Sequence, residues 1–192
     1  MTRRLLTVEQ VLRVLPTTGP RIAELTAGLS PTQLRAGPEP GEWSANEVLA
    51  HMRACSDMWG GCISRIVAED HPSIRAVNPT TWIGQTDYVD QDFASSLRAF
   101  EAQRVDLLAV VPPLGSDHWS RAATITGGGR PREQTVLDYA SRLAGHERTH
   151  LKQVEAVVRE VRTRPLVAGP HDCGRLVIKR RPPPSTVGPA NR

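Results

Sequence analysis

The segment from Ser44 to Ile66 admits one secondary structure. Ser44-Ala45-Asn46-Glu47 has the spacing of a capping box, in which the serine hydroxyl takes the third amide and the glutamate reaches back. Beyond it, apolar side chains recur at Val48, Met52, Cys55, Trp59, Cys62 and Ile66, always three or four positions apart. That period lays one stripe along an α-helix, whereas a strand needs a period of two. A helix with a single apolar stripe is stable only when the stripe is covered, so this segment demands partner helices. Gly60-Gly61 inside it marks a place where the helix can kink.

The partners are legible on both sides. A short helix is expected from about Thr7 to Leu15, stopping before Pro16, and another from Thr18–Pro20 with Ile22, Leu25 and Leu29 on one face. Ser30-Pro31-Thr32-Gln33 has capping-box spacing and opens a short turn of helix. Residues 71–89, with Pro72, Pro79 and Gly84, read as a loop. A third main helix follows from about Asp90 to Val111 with Phe93, Leu97, Phe100, Val105, Leu107 and Leu108, and Pro112-Pro113 ends it. Residues 114–130 read as loop with at most a short extended patch at Thr124-Ile125-Thr126. A long fourth helix is expected from Pro131 to about Arg162, striped by Val136, Tyr139, Leu143, His146, His150, Val154, Val157 and Val161.

The pattern predicts an all-α four-helix bundle with no convincing sheet. The link between the second and third helices is too long for a hairpin. It is suited to crossing the bundle and leaving those two helices parallel. The bundle is expected over residues 1–164 and a disordered or loosely attached basic tail over 165–192. That tail holds six of the 16 prolines and a surplus of four positive charges, the whole of the formal +4 of the chain. The body is thus neutral. With aromatic residues at 4%, it offers neither the field nor the stacking platform of a nucleic-acid binder. No apolar run is long enough to span a membrane, and Glu9, Gln10 and Arg13 interrupt any signal-peptide core. The expected location is cytoplasmic, and three cysteines (Cys55, Cys62, Cys173) do not suggest a disulfide framework.

Three of the six histidines fall on inward stripes. His146 and His150 are four apart on the fourth helix, and His51 lies between Val48 and Cys55 on the second. Three imidazoles from two facing helices suit a divalent metal, with zinc or nickel foremost and iron or manganese as further options. Three protein ligands leave a position for water or substrate. Cys55, one turn from His51, is either a fourth ligand or a small buried apolar residue.

His146-Glu147-Arg148-Thr149-His150 is also a formal H-E-x-x-H, the string of zinc proteases. Such enzymes bring a third ligand back through a turn. Here Gln153, Glu155 and Glu160 follow on one uninterrupted helix with no glycine, so that reading is set aside. Glu147 lies about 100° around the helix from the ligand positions and is expected to be a surface or supporting residue. Arg53, Asp57 and Arg148 are expected to be surface or ion-pair residues, and His71, His118 and His171 solvated. Trp43 is expected to pack at the helix start and Trp59 in the core, with Trp82 and Trp119 as candidates for a substrate mouth.

Gly41-Glu42-Trp43-Ser44 with Glu47-Val48-Leu49-Ala50-His51 resembles the start of the second helix in the DinB-like (YfiT-type) family. Gly145-His146-Glu147-Arg148-Thr149-His150-Leu151-Lys152-Gln153 is similar to that family's last-helix signature. The likeness extends to Leu29-Ser30-Pro31 and Arg65-Ile66 and covers about residues 17–160. It implies a four-helix bundle with a long crossover, often a homodimer, whose metal positions are His51, His146 and His150. It also implies either a hydrolase or an S-transferase using mycothiol or bacillithiol, acting on a small molecule. The expectation from another class is a non-catalytic dimeric bundle serving as an interaction module.

Overall fold

The computed structural model describes residues 5–113 and 115–163, with the side chains of residues 79 and 80 excepted. The expected tail, with His171 and Cys173, lies outside the described residues.

Helix α1 (Val8–Val14) opens on a Thr7 capping box with Gln10. It stops before Pro16, as expected. The chain passes through a 3-10 turn, Leu15–Thr17, directly into α2 (Thr18–Thr26). Proline is tolerated there because the first turn of a helical segment has no partner for its missing amide. Helix α3 (Pro31–Arg35) starts on the Ser30 capping box. Helix α4 (Ala45–Ala68) starts on the Ser44–Glu47 box and continues through Gly60 and Gly61.

The connection after α4 contains a strand, β1 (Ser73–Arg75), and a short helix, α5 (Pro79–Ile83). Helix α6 (Phe93–Val110) is capped by Asp92, whose side chain accepts from the Ser95 amide. After it come a 3-10 turn (Asp117–Ser120), β2 (Ala122–Thr126) and β3 (Arg132–Thr135). The last helix, α7 (Val136–Thr163), begins five residues later than Pro131 would suggest. Thr135 and Asp138 cap it reciprocally: Thr135 Oγ1 accepts from the Asp138 amide at 3.0 Å, and Asp138 Oδ2 from the Thr135 amide at 2.8 Å.

The expectation of no sheet is corrected. Strand β2 pairs β1 in parallel, with Ile74 opposite Ile125, and β3 antiparallel, with Ala123 opposite Gln134. Each strand is too short to show a period above noise, so only its pairing with another strand defines it. Ile74, Ala123 and Ile125 are buried and cover one end of the bundle.

Side-chain contacts give the helix directions. Arg53 meets Ser96, Ser56 meets Arg104, and Gly60 faces Leu107, so α4 and α6 run parallel. The α4–α6 connection therefore crosses the bundle, as its length implied. Leu6 bonds Ser141, Arg21 approaches Glu155, and Arg162 donates to Leu25, so the α1–α2 helix runs parallel to α7.

The core has two apolar clusters. One gathers Val11, Leu15, Ile63, Ile66, Leu107, Val136, Tyr139 and Leu143 near the sheet. The other gathers Ile22, Val48, Leu49, Met52, Phe100, Val154 and Val157 at the opposite end. Buried Thr18, Arg53, Ser56, Arg104, Glu147 and His150 fall between them along their helices, and buried His51 and Ser96 lie just inside the span of the second cluster. Val105, expected on the inner stripe, is 68% exposed, and Arg104 occupies the inward position instead. No helix among the described residues is long and apolar enough to cross a membrane.

Candidate metal centre

His51 comes from the second turn of α4, and His146 and His150 from adjacent turns of α7. Helix packing brings the three rings together in that polar region. His146 Nε2 lies 3.0 Å from His51 Nε2 and 3.0 Å from His150 Nε2. His51 and His150 are buried, and His146 is half-buried.

Hydrogen bonding alone does not satisfy this cluster. His150 Nδ1 is 2.8 Å from Gln153 Oε1, which can only accept, so Nδ1 carries the proton and Nε2 is a bare lone pair. His146 Nε2 sits between two other ring nitrogens and holds at most one proton. One proton on His146 Nε2 reaches both neighbours only as a shared three-centre bond, so neither contact is a full hydrogen bond of its own. A shared cation resolves the conflict, because all three nitrogens then point lone pairs at it. The spacing agrees. Two nitrogens about 2.1 Å from one ion and at right angles lie about 3.0 Å apart. The residues present therefore fit a divalent metal. Gln153 supplies the outer hydrogen bond that typically fixes a ligand's tautomer.

Cys55 Sγ is 3.7 Å from both His51 Nε2 and His146 Nε2, and the donor atoms of His51, Cys55 and His146 all lie within 4.8 Å of one another, a set that does not include His150. Burial pushes the Cys55 thiol up, with the fields of Glu147 and Asp57 adding to it. Burial also lowers His51 to about 4, with the charge of His150 as a second cause. His150 is lowered by burial and partly restored by Gln153. Both rings are thus held in the neutral form that binds metal.

Tryptophans line the cluster. Trp43 stacks on His150 at 6.4 Å and 17° and tilts against His51 at 5.1 Å. Trp59 meets the His146 ring edge-on at 5.0 Å. Both are half-buried. Their contact with the rings was not foreseen, although both sit on the stripe or cap that carries His51. Trp119, considered for a substrate mouth, is instead buried beneath the sheet, with its Nε1 donating to Pro113 O. A groove of about 600 Å³ lies elsewhere, lined by Leu5, Leu6, Arg142, Arg148 and Lys152 among others; none of the three histidines borders it.

Glu147 is not a surface residue. It is fully buried and paired through Oε1 with Arg104. Burial pushes its carboxyl up, and Arg104 pulls it back. Its carboxylate is committed to that pair, so it is not placed as the base of a protease. Helix α7 also runs unbroken past His150, without the turn such an enzyme needs. Arg53 is likewise buried, donating to Gln91 and Ser96 and stacked 3.8 Å over the Tyr88 ring. Asp57 accepts from Tyr88 and Gln103. Arg148 and His118 are exposed as expected, and His71 is exposed but pairs with Glu133 at 2.9 Å.

The buried arginines had a signal in the sequence. Phe93, Leu97, Phe100, Arg104 and Leu107 keep the helical period, with a guanidinium at an apolar position. Glu147 does the same between Leu143 and Val154.

The profile of the DinB superfamily matches residues 15–154. Among solved structures the chain is similar to YfiT from Bacillus subtilis, described as a probable metal-dependent hydrolase with an unusual four-helix bundle topology. The two are 16% identical, the similarity covers 83% of this chain and 91% of that one, and the TM-score is 0.68. At that identity the likeness concerns the fold. No curated protein matches the chain.

Proposed function

Because the chain belongs to the DinB superfamily, we propose that it is a divalent-metal-dependent enzyme that activates a small nucleophile, water or a low-molecular-weight thiol, against a small substrate. The observation that carries this is that His51 Nε2 and His150 Nε2 each lie 3.0 Å from His146 Nε2 in a largely buried layer. These three residues would hold the ion. A bound dication lowers the pKa of a coordinated water or thiol into the neutral range.

The rest is the work of the chain. Gln153 holds the His150 tautomer. Trp43 and Trp59 restrict how far the rings can turn and give the approach an apolar wall. Arg104 neutralises Glu147 beside the cluster, leaving the imidazoles as the donors. The half-buried edge at His146 is where solvent and substrate reach the site. A homodimer is part of the proposal, and sedimentation of the purified chain tests it.

The deciding experiment is the metal content of untagged protein, wild type beside His51→Ala. Near-stoichiometric metal in the wild type and a large loss in the variant are expected. Absence of metal, no uptake of added zinc or nickel, and an indifferent variant would overturn the reading. Hydrolysis and thiol-transfer screens of the loaded protein then separate the two chemistries.

A further inference from the structure

The Cys55 thiol reaches this cluster from the next turn of α4, with its Sγ equidistant from His51 Nε2 and His146 Nε2 at 3.7 Å. Nitrogen and sulfur donors about 2.1 and 2.3 Å from one ion, a tetrahedral angle apart, lie about 3.6 Å from each other. The side chain is completely buried, so its sulfur faces the imidazoles and not solvent.

Charge gives an independent reason to use it. Three neutral imidazoles bring no negative charge, and the neighbouring Glu147 is already paired with Arg104. A dication held by the histidines alone would leave an uncompensated double charge in a buried layer, which is costly. A thiolate halves it.

We propose that Cys55 is a thiolate donor to the metal held by His51, His146 and His150, and that it makes the site select zinc, nickel or cobalt over magnesium or manganese. The selection follows from ligand softness: thiolate favours borderline-soft ions, and hard ions prefer oxygen. On metal entry the S–H bond breaks, a metal–sulfur bond forms and the proton leaves to water, with no change of oxidation state.

This rests on the metal reading above, and the test separates the two. Cobalt(II) is titrated into the metal-free full-length chain and followed by absorption. The expected result is cobalt uptake with a near-ultraviolet sulfur-to-cobalt charge-transfer band. Cys55→Ser should take up cobalt without that band, and a Cys62→Ala/Cys173→Ala chain should keep it. Uptake without the band, or a band that survives Cys55→Ser, overturns the role of Cys55 and leaves the histidine site standing. No cobalt uptake by wild type overturns both. Should Cys55→Ser fail to fold, X-ray absorption of the zinc-loaded wild type decides. A sulfur neighbour at about 2.3 Å supports the proposal, and an all-nitrogen and oxygen shell overturns it.

Discussion

His150 shows how one side chain sets the chemistry of another. Its Nδ1 donates to Gln153 Oε1, which leaves Nε2 as a lone pair aimed at His146. Gln153 sits three residues on, on the same face of α7, and the hydrogen bond costs only the ordering of one side chain. Replacing such an outer-shell partner typically weakens a metal site about 10- to 100-fold. Gln153→Ala should therefore lower zinc affinity by that factor in a competition titration, with an unchanged helical circular-dichroism spectrum. The depressed basicity of the rings makes a second prediction. An unfolded chain protonates His51 near its ordinary 6.5, whereas the folded chain resists until about 4. Below pH 6.5 the unfolded state thus binds more protons. The metal-free protein keeps full stability above that pH and loses it as the pH falls through 4. For His51 alone the loss is about 3 kcal/mol. His150 shifts in the same direction. Urea unfolding of the metal-free chain across pH 7 to 4 checks this, and a flat profile would contradict it.

At the scale of elements, the caps are the most informative local feature. Thr7, Ser30 and Ser44 each form the reciprocal box that their spacing announces. The cap of α7 is built the same way from Thr135 and Asp138, with aspartate in place of the usual glutamate or glutamine. It also marks where β3 stops, and this is why α7 does not begin at Pro131. Losing the threonine leaves the partly buried Asp138 amide without its partner. Thr135→Ala should cost about 1 kcal/mol of unfolding free energy in urea titrations, while leaving zinc affinity unchanged, because the ligands lie three turns further along. The sheet has no comparable local signature. Strand β1 pairs residues of β2 some fifty positions away and lies in a segment that reads as loop, whereas β2 and β3 form a local hairpin.

At the scale of the molecule, two apolar clusters enclose a polar layer, and the candidate metal centre belongs to that layer. Arg104 and Glu147 join α6 to α7 there, both almost entirely buried. Removing one partner of a buried pair leaves a charge with no compensation and commonly costs about 3–5 kcal/mol. Glu147→Leu should lose stability on that scale in chemical denaturation. The double change Arg104→Met with Glu147→Leu should recover most of the loss, because two apolar groups leave no stranded charge. A double variant as unstable as the single one would mean that the pair has no such role. The sequence by itself determined the four long helices, the stops and starts of most of them, the crossover and the inward placement of His51, His146 and His150. Each follows from local spacing, and helical period and capping are properties of neighbours along the chain. Tertiary structure alone decided that Arg104 and Glu147 pair with each other, that Val105 faces solvent, that Trp43 and Trp59 lie against the rings, and that three short strands close one end. Those outcomes depend on which groups from distant segments meet, and a buried charge or a three-residue strand is stable only once its partner has arrived.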